Sequence, residues 1–161
     1  DSFKKNEESV DRVLFLCTGN YYRSRFAEEY FNWRAKKLEV NWSADSRGLR
    51  QNMNTLRNVG PISVDTLNAL RNLTISPRAA RRYPISVTLR DFKTATKVIA
   101  LCEREHRPMM RELFPMFEDC IEYWHVEDLP YEEPHIALPS IQKAVDDFIK
   151  HELVVIESSG K

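Results

Sequence analysis

The run Val13-Leu14-Phe15-Leu16 limits the possible folds more than any other stretch of the chain. All four side chains are large and apolar, and the run stops abruptly at Cys17-Thr18-Gly19-Asn20. Successive side chains of a strand point to opposite faces, so an unbroken apolar run is buried on both. Such strands sit inside parallel sheets covered by helices. Val40–Asp45 alternates like a second strand and is broken by Arg47-Gly48. Val98–Leu101 and Ile121–Val126 read as a third and a fourth. Amphipathic stretches lie between them. Ser24 to about Lys37 has an apolar face of Phe26, Ala27, Tyr30, Phe31 and Trp33, with Glu28 and Glu29 near its start, where a helix dipole favours acids. Pro61 to about Leu70 begins with proline in its first turn. Thr88–Phe92 is a short helix capped by Thr88, with Asp91 three residues on. Arg107–Phe117 is mostly helical, and Pro139 to about Leu153 is a last helix with Ile141, Ala144, Val145, Phe148 and Ile149 inward. Residues 49–60 and Asp128–Pro139 read as loops. Strands alternating with helices define an α/β fold: a small doubly wound, four-stranded parallel sheet with helices on both faces.

The 161 residues suit one core. The expected layout is a solvated tail over residues 1–11, a single domain over 12–153 and a C-terminal tail over 154–161. Lys+Arg and Asp+Glu both number 24, which argues against a nucleic-acid partner. No apolar run is long enough to span a bilayer, and the charged segment Asp1–Asp11 does not read as a signal peptide. The three cysteines, Cys17, Cys102 and Cys120, are odd in number and widely spaced. That argues against a disulfide framework and fits a reducing, cytoplasmic setting. His106, His125, His135 and His151 show no metal-ligand spacing, so neither metal nor cofactor is expected.

In doubly wound folds, ligands gather at the carboxyl ends of the strands. Cys17 falls at such an end, between a buried strand and a helix, where free N–H groups and the positive end of the helix dipole converge and favour a thiolate. Arg23 follows six positions later. A loop of that length can wrap a tetrahedral oxyanion with its N–H groups inward, while the arginine fork takes two oxygens. Gly19 and Asn20 tolerate the left-handed backbone that a tight wrap requires. Ser24 can donate its hydroxyl to the thiolate.

Val13 through Asn20, Arg23-Ser24 and Ala27-Glu28 together resemble the low-molecular-weight protein tyrosine phosphatase family, which opens with a strand and Cys-x-Gly-Asn-x-Cys-Arg-Ser-Pro. The likeness runs from about residue 11 to 152. Asp45-Ser46-Arg47-Gly48 is similar to the family's Asp-Ser-Ala-Gly, and Ile75-Ser76-Pro77-Arg78-Ala79 to its Ile-Ser-His-Arg-Ala. The resemblance implies a phosphate monoester hydrolase, most naturally a protein tyrosine phosphatase. Cys17 would form a phosphocysteine, with Arg23 and the loop Thr18, Gly19, Asn20, Tyr21 and Tyr22 holding the phosphoryl oxygens. Ser24 would hold the thiolate, and Ser46 would help Asn20 fix the loop. Asp128 would be the general acid, with Glu127 its rival. The implied partner is a phosphorylated protein or a small phosphomonoester, and the implied assembly a monomer or weak dimer.

The chain departs from the family at several points. Tyr22 replaces the second cysteine, which excludes a disulfide inside the loop. Arg25 replaces proline and adds a cation near the anion site; Pro77 replaces histidine and loses one tie to the loop. Tyr21 and Tyr131 either wall a cleft for an aryl phosphate or are surface aromatics. Arg78, Arg81 and Arg82 read as a solvated basic face, with an acidic substrate segment as the alternative. Two other functions stay open. One is thiol-dependent arsenate reduction using Cys17 and Cys102, although the next cysteine lies 18 positions further on. The other is a non-catalytic phosphate-binding module.

Overall fold

The computed structural model describes residues 10–154. The expected tails therefore lie outside the described residues, except for their inner ends. Asp11 already belongs to the first strand, β1 (Asp11–Cys17). The chain continues through α1 (Arg23–Lys37), β2 (Trp42–Gly48), α2 (Val64–Asn72), α3 (Leu89–Thr94), β3 (Lys97–Ala100), α4 (Glu103–Leu113), β4 (Glu122–Tyr123) and α5 (Pro134–Phe148). The sheet is parallel throughout, in the order β2-β1-β3-β4.

β1 lies inside the sheet and is buried as its composition requires. Val13, Leu14, Phe15 and Leu16 are all 0% exposed. Their alternation divides the interior. Val13 and Phe15 face the larger core with Phe26, Phe31, Ile141, Val145 and Phe148 from α1 and α5. Leu14 and Leu16 face a smaller core with Phe92, Val98, Ala100 and Met110 from β3, α3 and α4. With helices on both faces and β2 and β3 along its two edges, β1 meets water chiefly at its first residues, Asp11 and Arg12.

Several boundaries differ from expectation for local reasons. β2 does not break at Arg47-Gly48; it ends there, paired with Leu16 and Cys17. Arg47 stays in the strand because Asp45 and Asp91 neutralise it. Gly48 is needed for close approach, since a Cβ there would lie 2.8 Å from the Thr18 carbonyl oxygen. The helix expected at Pro61 begins at Val64, because Ser63 caps it and accepts from the Asp65 and Thr66 N–H groups. α4 and α5 begin earlier than expected and run through Pro108 and Pro139. Each starts where an extended residue, Cys102 or Glu133, leads into the first turn. The segment called a loop up to Pro139 is thus helical from Pro134. β4 is shorter than Ile121–Val126, although Trp124 and Val126 still donate to the Ala100 and Leu101 carbonyls. Thr88 does cap α3, in a reciprocal capping box with Asp91.

Cys17, Gly48, Cys102 and Val126 end up along one edge of the sheet. We expect Phe31→Ala to destabilise the fold by about 3–5 kcal/mol, because the 0%-exposed ring joins α1 to Phe15 and Phe148. Urea denaturation followed by circular dichroism measures it; a loss under about 1 kcal/mol would contradict this packing.

Candidate active site

The loop from Cys17 to Arg23 turns at one left-handed residue, Asn20, with φ 49°. Gly19 does not take the left-handed backbone expected of it; a Cβ there would lie 2.9 Å from Leu56 Cδ1, a side-chain tip that can shift aside. Asn20 is fully buried and its amide is fully used. Nδ2 donates to Ser24 Oγ at 3.0 Å and to Ser46 Oγ at 2.9 Å. Oδ1 accepts from Arg82 Nη1 and from the Ile85 N–H, both at 3.0 Å. Cys17 Sγ lies 3.0 Å from Ser24 Oγ. Because Ser24 oxygen already accepts from Asn20, its single proton is free to point at a sulfur anion.

Behind this loop lies a buried charge network that the sequence did not disclose. Ser46 donates to Glu28 Oε1 at 2.6 Å, and Arg82 reaches both Glu28 and Ser46. Burial pushes the Glu28 carboxyl up from its ordinary value, against the opposing pull of Ser46 and Arg82. Glu28 and Glu29 thus do not serve the helix dipole; they lie past the first turn. Glu29 instead accepts from the Arg78 and Ala79 N–H groups. Arg82 is not part of a solvated basic face, whereas Arg78 and Arg81 are exposed. Arg25 does not add a cation to the anion site either. Its 0%-exposed guanidinium points at the carbonyls of Ala79, Arg82 and Pro61. Arg82 replaces the tie to the loop that Pro77 seemed to remove. Its signal was the arginine cluster itself, which spacing alone does not divide into buried and solvated members.

Arg23 is 1% exposed. Nη1 donates to the Val126 carbonyl at 2.9 Å, and Nη2 to Glu105 at 2.9 Å and Asp128 at 3.3 Å. Burial opposes its charge, but Cys17, Glu105 and Asp128 outweigh that and raise its pKa. Glu105 was not anticipated, since the helix was expected to start at Arg107. An acid in the first turn after an apolar strand was the available signal. Glu105 and His106 tie α4 to the loop. The Cys102 N–H donates to His106 Nδ1, which leaves the proton on Nε2, 3.1 Å from Thr18 Oγ1. Thr18 in turn donates to Glu105. Burial lowers the His106 pKa, consistent with a neutral ring. Burial would raise the Glu105 carboxyl, but the hydrogen bonds of His106 and Arg23 hold it well below the usual range.

A cleft of about 340 Å³ opens above the loop. Cys17, Thr18, Gly19, Tyr21, Tyr22 and Arg23 line it, opposite Leu56, Asn58, Asp65 and Asp128. Of the two rival acids, Asp128 faces the cleft and Arg23, whereas both oxygens of Glu127 bond Arg104. Tyr21 stands in the wall, its hydroxyl donating to the Val59 carbonyl at 2.6 Å. Tyr131 is 73% exposed, lies under Arg104 and is not among the lining residues. Cys102, Glu105 and Glu127 bring three donor atoms within 4.8 Å of one another. Both carboxylates already have arginine partners, so little charge is left for a cation.

The chain belongs to the low molecular weight phosphotyrosine protein phosphatase family, whose sequence pattern matches residues 12–153. It is similar to the low molecular weight protein tyrosine phosphatase of T. tengcongensis, at 25% identity and a TM-score of 0.72 over 87% of this chain and 98% of that one. YfkJ from Bacillus subtilis shares the fold at 22% identity and a TM-score of 0.76, over 96% and 99% of the two chains. An arsenate reductase of Bacillus cereus (strain AH187) is 32% identical over 85 residues, 51% of this chain. That match spans 60% of the reductase.

The depressed Glu105 carboxyl makes a stability prediction. It stabilises the fold fully above an ordinary glutamate's 4.5, and the contribution is lost as the pH falls below that value. Glu105→Gln should therefore flatten the acid side of the stability profile by roughly 2 kcal/mol in urea titrations from about pH 7 to 3. Identical acid losses in both proteins would contradict the assignment.

Proposed function

We propose that this chain hydrolyses phosphate monoesters, most naturally phosphotyrosine, through a phosphocysteine on Cys17. One observation carries the reading: Cys17, Arg23 and Asp128 line a single cleft, with Ser24 3.0 Å from the Cys17 sulfur. The thiolate attacks phosphorus, and the bond to the leaving oxygen breaks as Asp128 gives that oxygen its proton. Arg23 and the loop N–H groups stabilise the three equatorial oxygens of the in-line transition state. Water then attacks the phosphocysteine while Asp128 takes its proton. The sulfur–phosphorus bond breaks, inorganic phosphate forms and the thiolate returns. Ser24 holds the thiolate in both steps, and Ser46 acts through Asn20. Thr18, Gly19, Tyr21 and Tyr22 shape the site that receives a phosphorylated protein or a small phosphomonoester.

Thiol-dependent arsenate reduction is the alternative, supported by the partial match to an arsenate reductase. It would need Cys102 as a second thiol. Against it, Cys102 is 1% exposed, and burial pushes its thiol pKa up. The next cysteine, Cys120, lies beyond α4.

Turnover of p-nitrophenyl phosphate at mildly acidic pH tests the reading. Cys17→Ser should abolish it, and Asp128→Asn should lower kcat on the order of 100-fold. Glu127→Gln should stay near wild type. Unchanged turnover in Cys17→Ser would overturn the mechanism, and a loss confined to Glu127→Gln would overturn the acid. Arsenate-dependent thiol oxidation that Cys102→Ser abolishes would favour the reductase.

A further inference from the structure

One buried donor in the cleft has no partner. Tyr22 is 8% exposed and its ring belongs to the larger core. Its hydroxyl is sealed from solvent, yet makes no hydrogen bond among the described residues. The same residue lines the cleft beside Cys17, Arg23, Asp65 and Asp128. An unmade hydrogen bond in the interior destabilises the fold, so a phenol here asks for an explanation that a phenyl ring would not.

The hydrogen bonds of Arg23 supply one. Its Nη1 serves the Val126 carbonyl, and its Nη2 serves both Glu105 and Asp128. A phosphoryl group held by a guanidinium takes two parallel N–H groups, so one of these acceptors has to yield. Glu105 is the better anchored, with Thr18 and His106 also on its Oε2. Asp128 Oδ2 has Arg23 at the longer 3.3 Å, and among the described residues its other oxygen accepts only from the adjacent Leu129 N–H. Asp128 is therefore the carboxylate that yields. The charged and titratable groups around it and Tyr22 are Asp65 from α2, Glu105 and His106 from α4, and Glu132, whose carboxylate accepts from the Glu127 N–H. Water reaches the Asp128 side chain, which is 42% exposed, but fixes it in no one place; a protein donor other than Arg23 would.

We propose that the Tyr22 hydroxyl is that donor: it takes over Asp128 Oδ2 when a phosphoryl group takes Arg23. Tyr22 is then a positioning residue, which acts through Asp128 and holds it beside the leaving oxygen. After burial, Asp128 and Asp65 do most to raise the phenol's pKa, so the phenol lies in the field of these carboxylates and keeps its proton to donate. The inference rests on the phosphatase reading and adds a handover to it.

Isothermal titration of the full chain with inorganic phosphate tests it without turnover. Tyr22→Phe should weaken phosphate binding on the order of tenfold, because the displaced carboxylate is left with water alone and no fixed donor. In an Asp128→Ala background, where nothing is displaced, the same substitution should leave the dissociation constant unchanged. Equal weakening in both backgrounds would overturn the proposal, since the phenol would then serve the anion or the packing directly. No effect in either would overturn it too. Failure of the unsubstituted chain to bind phosphate would overturn the anion cradle and this inference together. Binding without coupling would overturn the inference alone.

Discussion

The amide of Asn20 has two donors and two acceptor positions, and all four are occupied inside the protein. Through them one side chain joins four parts of the chain: its own loop, α1 at Ser24, β2 at Ser46 and the segment from Arg82 to Ile85. The backbone at Asn20 is left-handed, a conformation that most side chains resist and that the local bonds of asparagine help to sustain. Losing the amide would leave several buried partners unsatisfied, at about 1–3 kcal/mol each. The curvature of the Cys17 loop thus depends on tertiary contacts, and the loop is shaped only when the sheet is formed.

The charges behind the loop serve position more than stability. Buried ion pairs lose in desolvation much of what they gain in attraction. Arg25 shows the cost: it is fully buried, burial lowers its pKa, and its Nε makes no hydrogen bond among the described residues. What Arg25, Arg82, Glu28 and Glu29 achieve together is to clamp residues 78–85 against the loop. On the cleft side, Glu105 does the same for Arg23 from α4. The guanidinium is thereby held in one orientation, as the proposed oxyanion site would require.

Sequence patterns reveal best what one element decides alone. The double burial of Val13–Leu16 follows from four adjacent apolar residues, and the capping of α3 from Thr88 and Asp91. Cys17, Arg23 and Ser24 come together because a short loop leaves them little choice. Contacts across elements were far less legible. Arg82 and Glu105 stand 62 and 82 positions from Asn20 and Arg23 respectively, and nothing local separates them from ordinary surface charges. Prolines misled at α4 and α5, because a helix can carry one where packing against the core offsets the lost bond. Asp128 and Glu127 are neighbours in sequence; Arg104 draws Glu127 away, while Arg23 holds Asp128 at the cleft.

If the Asn20 and Arg23 networks exist to present Cys17 to phosphorus, phosphate must pass through the sulfur of Cys17. Rapid acid quenching during turnover of an aryl phosphate, followed by peptide mass spectrometry, measures this directly. The account predicts a phosphoryl adduct on the peptide containing Cys17, formed on the time scale of the first turnover. Turnover with no adduct, or with the phosphoryl group on any other residue, would contradict it.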